Sequence, residues 1–234
     1  MKRKLDVGEV LSETFSIYRQ HAGVLLPLAF WLFLIVAIAE GLSRGDFAFF
    51  PLVIVVSTLV ATLYQGVVVS LVRDVHDGRA EASMGGLLKG AMPFVWRLIA
   101  AGLLSGIGIG VGLVALVVPG LILLTIWAVI APVIVVEDSA ALDAFGRSRE
   151  LVGGNGWPVF GAIAIAFLIT LFASLLFSAI AVAVAEGILV LIVFSALASM
   201  VTAPVMALLV SVIYYRLRAI ERNAAMAAPA APPA

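Results

Sequence analysis

Residues 98–136 read LIAAGLLSGIGIGVGLVALVVPGLILLTIWAVIAPVIVV, without a single Lys, Arg, Asp, Glu or His. As one helix the stretch would run about 58 Å at 1.5 Å per residue, nearly twice the roughly 30 Å hydrocarbon core of a bilayer. The Pro119-Gly120 pair therefore reads as a tight turn between two crossings, 98–118 and 121–136. Working outward, residues 24–39 and 47–72 form two earlier apolar runs. Residues 158–215 are again too long for one crossing. Their only charged residue is Glu186, followed by Gly187, so they divide into 158–185 and 188–215. These last two exceed the bilayer thickness and should tilt or project beyond it.

The fold class that follows is all-α and polytopic. Six transmembrane helices form three hairpins in a single membrane domain over 1–222. Residues 223–234, ending AAMAAPAAPPA, form a low-complexity tail expected to be disordered. Composition agrees. Hydrophobic residues make up 64% of the chain and charged residues 12%, against roughly 45–50% and about 25% in soluble domains. Fourteen basic and fourteen acidic residues cancel, which gives no support to nucleic-acid binding. There is no cysteine, so disulfides and cysteine metal sites are excluded.

Basic residues orient the spans. Lys2, Arg3, Lys4 and Arg19 precede the first. Arg73, Arg79, Lys89 and Arg97 lie between spans two and three, Arg147 and Arg149 between four and five, and Arg216, Arg218 and Arg222 after six. Only Arg44 falls on the opposite side. Lys and Arg near span ends are retained in the cytoplasm, so both termini are expected there. Ala37-Ile38-Ala39 imitates a signal-peptide cleavage site, but the apolar run begins too late after the start, so the first span is expected to be retained. Trp96 and Trp157 stand where an interfacial aromatic belt belongs, whereas Trp31 and Trp127 are expected to pack inside the bundle.

Each predicted hairpin follows a short segment of helical periodicity. Val7, Val10, Leu11, Phe15 and Tyr18 share a face in the first. Met84, Leu87, Leu88, Met92 and Val95 share one in the second. Ala141, Leu142, Phe145, Arg149 and Val152 approximate one in the third. These are read as interfacial helices, apolar face down and basic residues towards headgroups.

Candidate motifs are few. Gly102, Gly106 and Gly110 recur every four residues, with Gly108 and Gly112 as a second pair. Such spacing lets helices approach closely, and helix packing is preferred to a pore-lining role. The run is not a dinucleotide fingerprint, because the spacing differs and no strand precedes it. Asp74-Val75-His76-Asp77-Gly78-Arg79 is similar to the first half of the CDP-alcohol phosphotransferase motif. Glu81-Ala82 replaces the Ala-Arg pair that follows there, and the second pair of spaced aspartates is missing. A solvated turn is the better reading than a metal site of Asp74, His76, Asp77 and Glu81. The span interiors lack ionisable groups, with Glu40, Glu137 and Glu186 at their ends, which argues against an ion-coupled pump. The only histidines are His21 and His76, and no HExxH occurs. No catalytic residue, metal ligand or cofactor is assigned.

From Pro119-Gly120, through Trp127, Pro132 and Glu137, the chain passes into ALDAFGRSRELVGGNGWPVFG over residues 141–161. Ala144, Arg147-Ser148, Leu151-Val152, Gly154-Asn155 and Trp157 punctuate it. This segment resembles the membrane domain found beside glycerophosphoryl diester phosphodiesterases, and the YciC-like stand-alone bacterial inner-membrane proteins. The resemblance implies a six-span membrane module. It implies no activity, because that family's chemistry sits in a separate soluble barrel and the longest predicted loop here, 73–97, is far too short for one. The function expected is a non-enzymatic, lipid-interacting or envelope-homeostasis scaffold, with a small transporter or permease component as the alternative. Pro132 and Pro204 are the candidates for interrupted helices in the latter case. Arg147, Arg149, Trp157, Arg97 and Trp96 are candidate contacts to lipid headgroups. Expected partners are membrane lipids, with a homo-oligomer or a protein partner left open.

Overall fold

The computed structural model describes residues 4–43, 47–78, 84–184 and 187–227. Among them the structure is helical throughout, with no strand: α1 Val7–Leu42, α2 Phe50–His76, α3 Met84–Ala91, α4 Val95–Ala115, α5 Val117–Ile126, α6 Ile130–Glu137, α7 Ala141–Val152, α8 Gly156–Val184 and α9 Ile188–Ala227. Short 3-10 turns at Phe47–Phe49 and Met92–Phe94 lead into α2 and α4. Six segments are long and apolar enough to cross a bilayer, α5 and α6 together making one. Arg44, Arg79, Glu81, Glu186 and residues 228–234 lie outside the described residues.

Helices α1 and α9 have 36 and 40 residues, or about 54 and 60 Å at 1.5 Å per residue. They pack on each other more extensively than any other pair, and they run antiparallel. Arg216 of α9 meets Glu9 and Glu13 near the start of α1. The Tyr18 hydroxyl donates to the Val201 carbonyl at 3.2 Å. Ser195 donates to Glu40 near the far end at 3.4 Å. Gly41 makes this approach possible, since a Cβ there would lie 2.6 Å from the Ile192 side chain.

Helix α2 runs antiparallel to α1, its Tyr64 hydroxyl donating to the Leu25 carbonyl at 3.4 Å. Its second half is the centre of the molecule: Val67, Val68, Val69, Leu71 and Val72 are all fully buried. A helix buried all round must be apolar all round, and Gln65 and Ser70 are excused by donating to the Ala207 and Gly66 carbonyls. On the outside the usual polarity is reversed. Ile107, Val111 and Val114 of α4 and Phe167, Leu168 and Phe172 of α8 are exposed.

Several features differ from the sequence reading. The amphipathic segment before the first span is not a separate helix, since α1 continues unbroken through it; Pro27 lies inside α1 without breaking it. Helix α9 likewise passes through Pro204 and extends to Ala227, into the expected tail. Trp31 is 65% exposed instead of packed in the bundle. Lastly, the turn in 98–136 falls earlier than Pro119-Gly120. It is made by Leu116, extended at φ −160° and ψ 132°. The cause is still Pro119, whose ring cannot accept a helical carbonyl four residues back, at Ala115, where α4 stops. Pro119 then sits in the first turn of α5, where a missing N–H costs nothing.

Pro132 repeats this effect. Its i−4 residue is Ala128, and the chain leaves the helix over Trp127–Val129 between α5 and α6. The expected span 121–136 is thus two half-helices.

Helices α4 and α5 close on each other through the second pair of spaced glycines, with Gly120 opposite. Gly108 faces Trp127, and Gly112 faces Gly120 at backbone distance. Of Gly102, Gly106 and Gly110, only Gly102 makes a close contact, with Thr62; the other two meet nothing within 4 Å. A Cβ on Gly120 would lie 2.6 Å from the Leu113 backbone nitrogen. Gly120→Ala should therefore cost about 1–3 kcal/mol by overpacking, while Gly106→Ala should be neutral or stabilising by up to about 1 kcal/mol. Denaturation of both variants in the same detergent checks the contrast.

Candidate functional site

The start of α1, the end of α2, α7, the start of α8 and the last turns of α9 gather at one end of the bundle, and the charges gather with them. Three clamps tie these helix ends together. In the first, Arg147 of α7 donates through Nε to Glu137 of α6 at 3.0 Å, and through both terminal nitrogens to Glu221 of α9 at 2.7 Å each. The paired bonds to Glu221 have the fork geometry that makes arginine–carboxylate contacts strong. Glu150 lies 3.6 Å away on the same side. The second oxygen of Glu137 accepts from the Tyr214 hydroxyl at 3.0 Å, and Arg218 donates to that hydroxyl at 3.1 Å. The hydrogen bond to Glu221 first, and the one to Glu137 after it, raise the Arg147 pKa above its ordinary value against the lowering effect of burial.

In the second clamp Arg216 donates to Glu13 at 2.6 Å and to Glu9. The His76 Nε2 lies 3.9 Å from Glu13, and its ring stacks on Tyr215 with centroids 4.0 Å apart. In the third, Arg97 pairs with the Asp138 carboxylate and reaches its backbone carbonyl at 3.3 Å. Asp138 follows α6 in the left-handed region at φ 53°.

The connection from α6 to α8 carries the segment singled out in the sequence, and nearly every residue of it has a contact to make. Ser148, fully buried, donates to the Ile126 carbonyl at 2.8 Å. That carbonyl lost its helical donor at the break, because the Ile130 N–H turns to Trp127 instead. Trp127 stands edge-on to Phe145 at 4.9 Å. Ala144, Leu151 and Val152 are buried. Gly154 takes φ 82°, which a side chain would resist. The Asn155 Oδ1 accepts from the Leu5 N–H at 3.0 Å, pinning the start of the chain to α8.

Of the five residues expected at headgroups, the structure draws Arg97 and Arg147 into ion pairs with the protein's own carboxylates. It leaves Trp96 and Trp157 on the surface, 80% and 85% exposed. Arg149 is exposed too, with no ion pair among the described residues. The buried face of α7 also differs from the predicted stripe, since Leu142 is 72% exposed while Ala144 and Ser148 are buried. Sequence reasoning missed Glu9, Glu13, Glu221 and Tyr214. The available signal was the equal count of acids and bases in a chain whose charges crowd the span ends. Among the described residues no group of three His, Asp or Glu is placed to hold a metal ion; the reading that involved Glu81 lies outside them.

Six apolar helices of membrane-crossing length, apolar outward and joined by charged clamps at one end, define an integral membrane protein. No protein-family model, no curated protein and no solved structure matches the chain.

Because Arg147 is part-buried between two carboxylates, Arg147→Ala should destabilise the protein by about 1–3 kcal/mol, between the surface and the buried limits for ion pairs. A double-mutant cycle with Glu221→Ala should return a coupling of at least about 1 kcal/mol. Additive effects would mean the clamp contributes nothing.

Proposed function

We propose that this is a non-enzymatic bacterial inner-membrane protein with its charged end in the cytoplasm, acting as a lipid-interacting scaffold in envelope homeostasis. On this reading it resembles the membrane domain found beside glycerophosphodiester phosphodiesterases. One observation carries the proposal. At the charged end, the protein's carboxylates neutralise Arg97, Arg147 and Arg216, while Trp96, Trp157, Leu142 and Arg149 stay exposed. Indole rings prefer the headgroup region. A cation beside it attracts anionic lipid by about 1 kcal/mol. Of Arg147 and Arg149, both expected at headgroups, Arg149 is the one retained, because Arg147 is already paired with Glu137 and Glu221.

Native mass spectrometry with lipid analysis tests this. The wild type should carry an enriched anionic lipid. A Trp96→Ala/Arg149→Ala/Trp157→Ala variant should retain at most about one fifth of it, as expected for loss of about 1 kcal/mol or more. Arg147→Ala should lose stability and keep the lipid. Equal lipid on the triple variant would remove the proposal.

Orientation is testable separately, since the chain has no cysteine. In spheroplasts an impermeant maleimide should label Ser43→Cys and spare Ser12→Cys and Ala225→Cys. Labelling of the latter two alone would reverse the orientation. The second reading, a small transporter, draws on a different observation: the span Val117–Glu137 is interrupted at Trp127–Val129, as transporter spans often are beside their sites.

A further inference from the structure

Beside that interruption lies an open cavity of about 270 Å³, lined by α2, α4, α9 and the break itself. Its polar lining is uncharged and incompletely paired. Gln65 gives one amide proton to Ala207; its other proton and its Oε1 have no hydrogen-bond partner among the described residues. The Thr62 hydroxyl and the Trp127 indole N–H have none either. Ser105 donates to Gly102 at 3.1 Å, which leaves its oxygen free to accept. At the break, the Ala128 carbonyl faces Pro132 in the sequence position of its helical donor, and proline has no N–H. No buried side-chain polar atom among the described residues is without a partner, so these unpaired groups are not shut inside the protein, and the residues that carry them all line the cavity.

The chemistry of this lining selects its occupant. Three donors (Thr62, Gln65, Trp127) stand with four acceptors (Thr62, Gln65, Ser105, Ala128). A bare cation would find acceptors but no carboxylate to offset its desolvation, and would face N–H groups of the wrong polarity. An anion would find no cation. An apolar molecule would leave every one of these groups unpaired, at roughly 1–3 kcal/mol each. We infer that the cavity is a binding site for a small uncharged molecule bearing hydroxyl or amide groups. The inference concerns the occupant alone and stands whether the protein transports it or holds it. It is independent of the lipid contacts proposed at the charged end.

Trp127 reports on the site directly. The other three tryptophans, Trp31, Trp96 and Trp157, are exposed and can be replaced by Phe in the full chain. In that single-tryptophan protein, glycerol and acetamide should each shift Trp127 emission saturably, and sodium chloride and benzene should not. Thr62→Val and Gln65→Met should each weaken the response by about tenfold. Gln65→Met also loses the Ala207 contact, so if it fails to fold, the near-isosteric Thr62→Val decides. A lipid headgroup can present the same hydroxyls as a free solute. A response to glycerol in lipid-free detergent assigns a free solute; a response to monoacylglycerol alone assigns a headgroup. No saturable response to any of these probes, a response to sodium or benzene, or a response unchanged in Thr62→Val overturns the inference.

Discussion

A peptide group inside hydrocarbon has no water to turn to, and leaving it unpaired costs several kcal/mol. The two proline breaks each meet part of that cost. Pro119 and Pro132 each forbid the helix that would run through them, and each break adjoins or includes the residue four positions earlier, Ala115 or Ala128. At the first, α4 ends with the Leu116 N–H still bonded to Gly112 at 3.0 Å, and glycines at 112 and 120 let the returning chain close at backbone distance. At the second, Ser148 reaches across from α7 to satisfy the Ile126 carbonyl. The segment from Pro119 to Asn155 is therefore one mechanical unit, in which a break, its repair and the docking of the next helix depend on one another.

Charge is handled at the end of the bundle where the helices project. Arg147 of α7 and Arg216 of α9 are placed among carboxylates contributed by four different helices, so that they join elements distant in sequence. The last turns of α9 supply Tyr214, Tyr215, Arg216, Arg218 and Glu221 to these clamps. The fully buried Tyr214 carries the connection from the apolar core, where its ring packs, to the ionic layer, where its hydroxyl donates to Glu137. The same side chains that a bilayer would sort to one side are thus used to fasten the bundle there, and the surface left for lipid is mostly aromatic and aliphatic.

The sequence by itself determined the six apolar helices, because a charge-free run of known length has few ways to lie in a membrane, and the two long stretches at 98–136 and 158–215 each exceed one crossing. It also determined that the chain breaks near Pro119, though not that the turn falls at Leu116, four residues before Gly120. Tertiary structure alone decided which residues meet. Periodicity marked two sets of spaced glycines, Gly102, Gly106 and Gly110 and the pair Gly108 and Gly112, but only folding decided that the pair faces the neighbour, since helix rotation is set by the partner and not by the spacing. Arg147 and Arg149 are two residues apart and equally basic in the sequence. They lie on opposite sides of α7, and Glu137 and Glu221 come from helices that only folding brings to one of those sides. Ser148 gave no sign of its role, because the carbonyl it satisfies exists only once Pro132 has broken the helix opposite it.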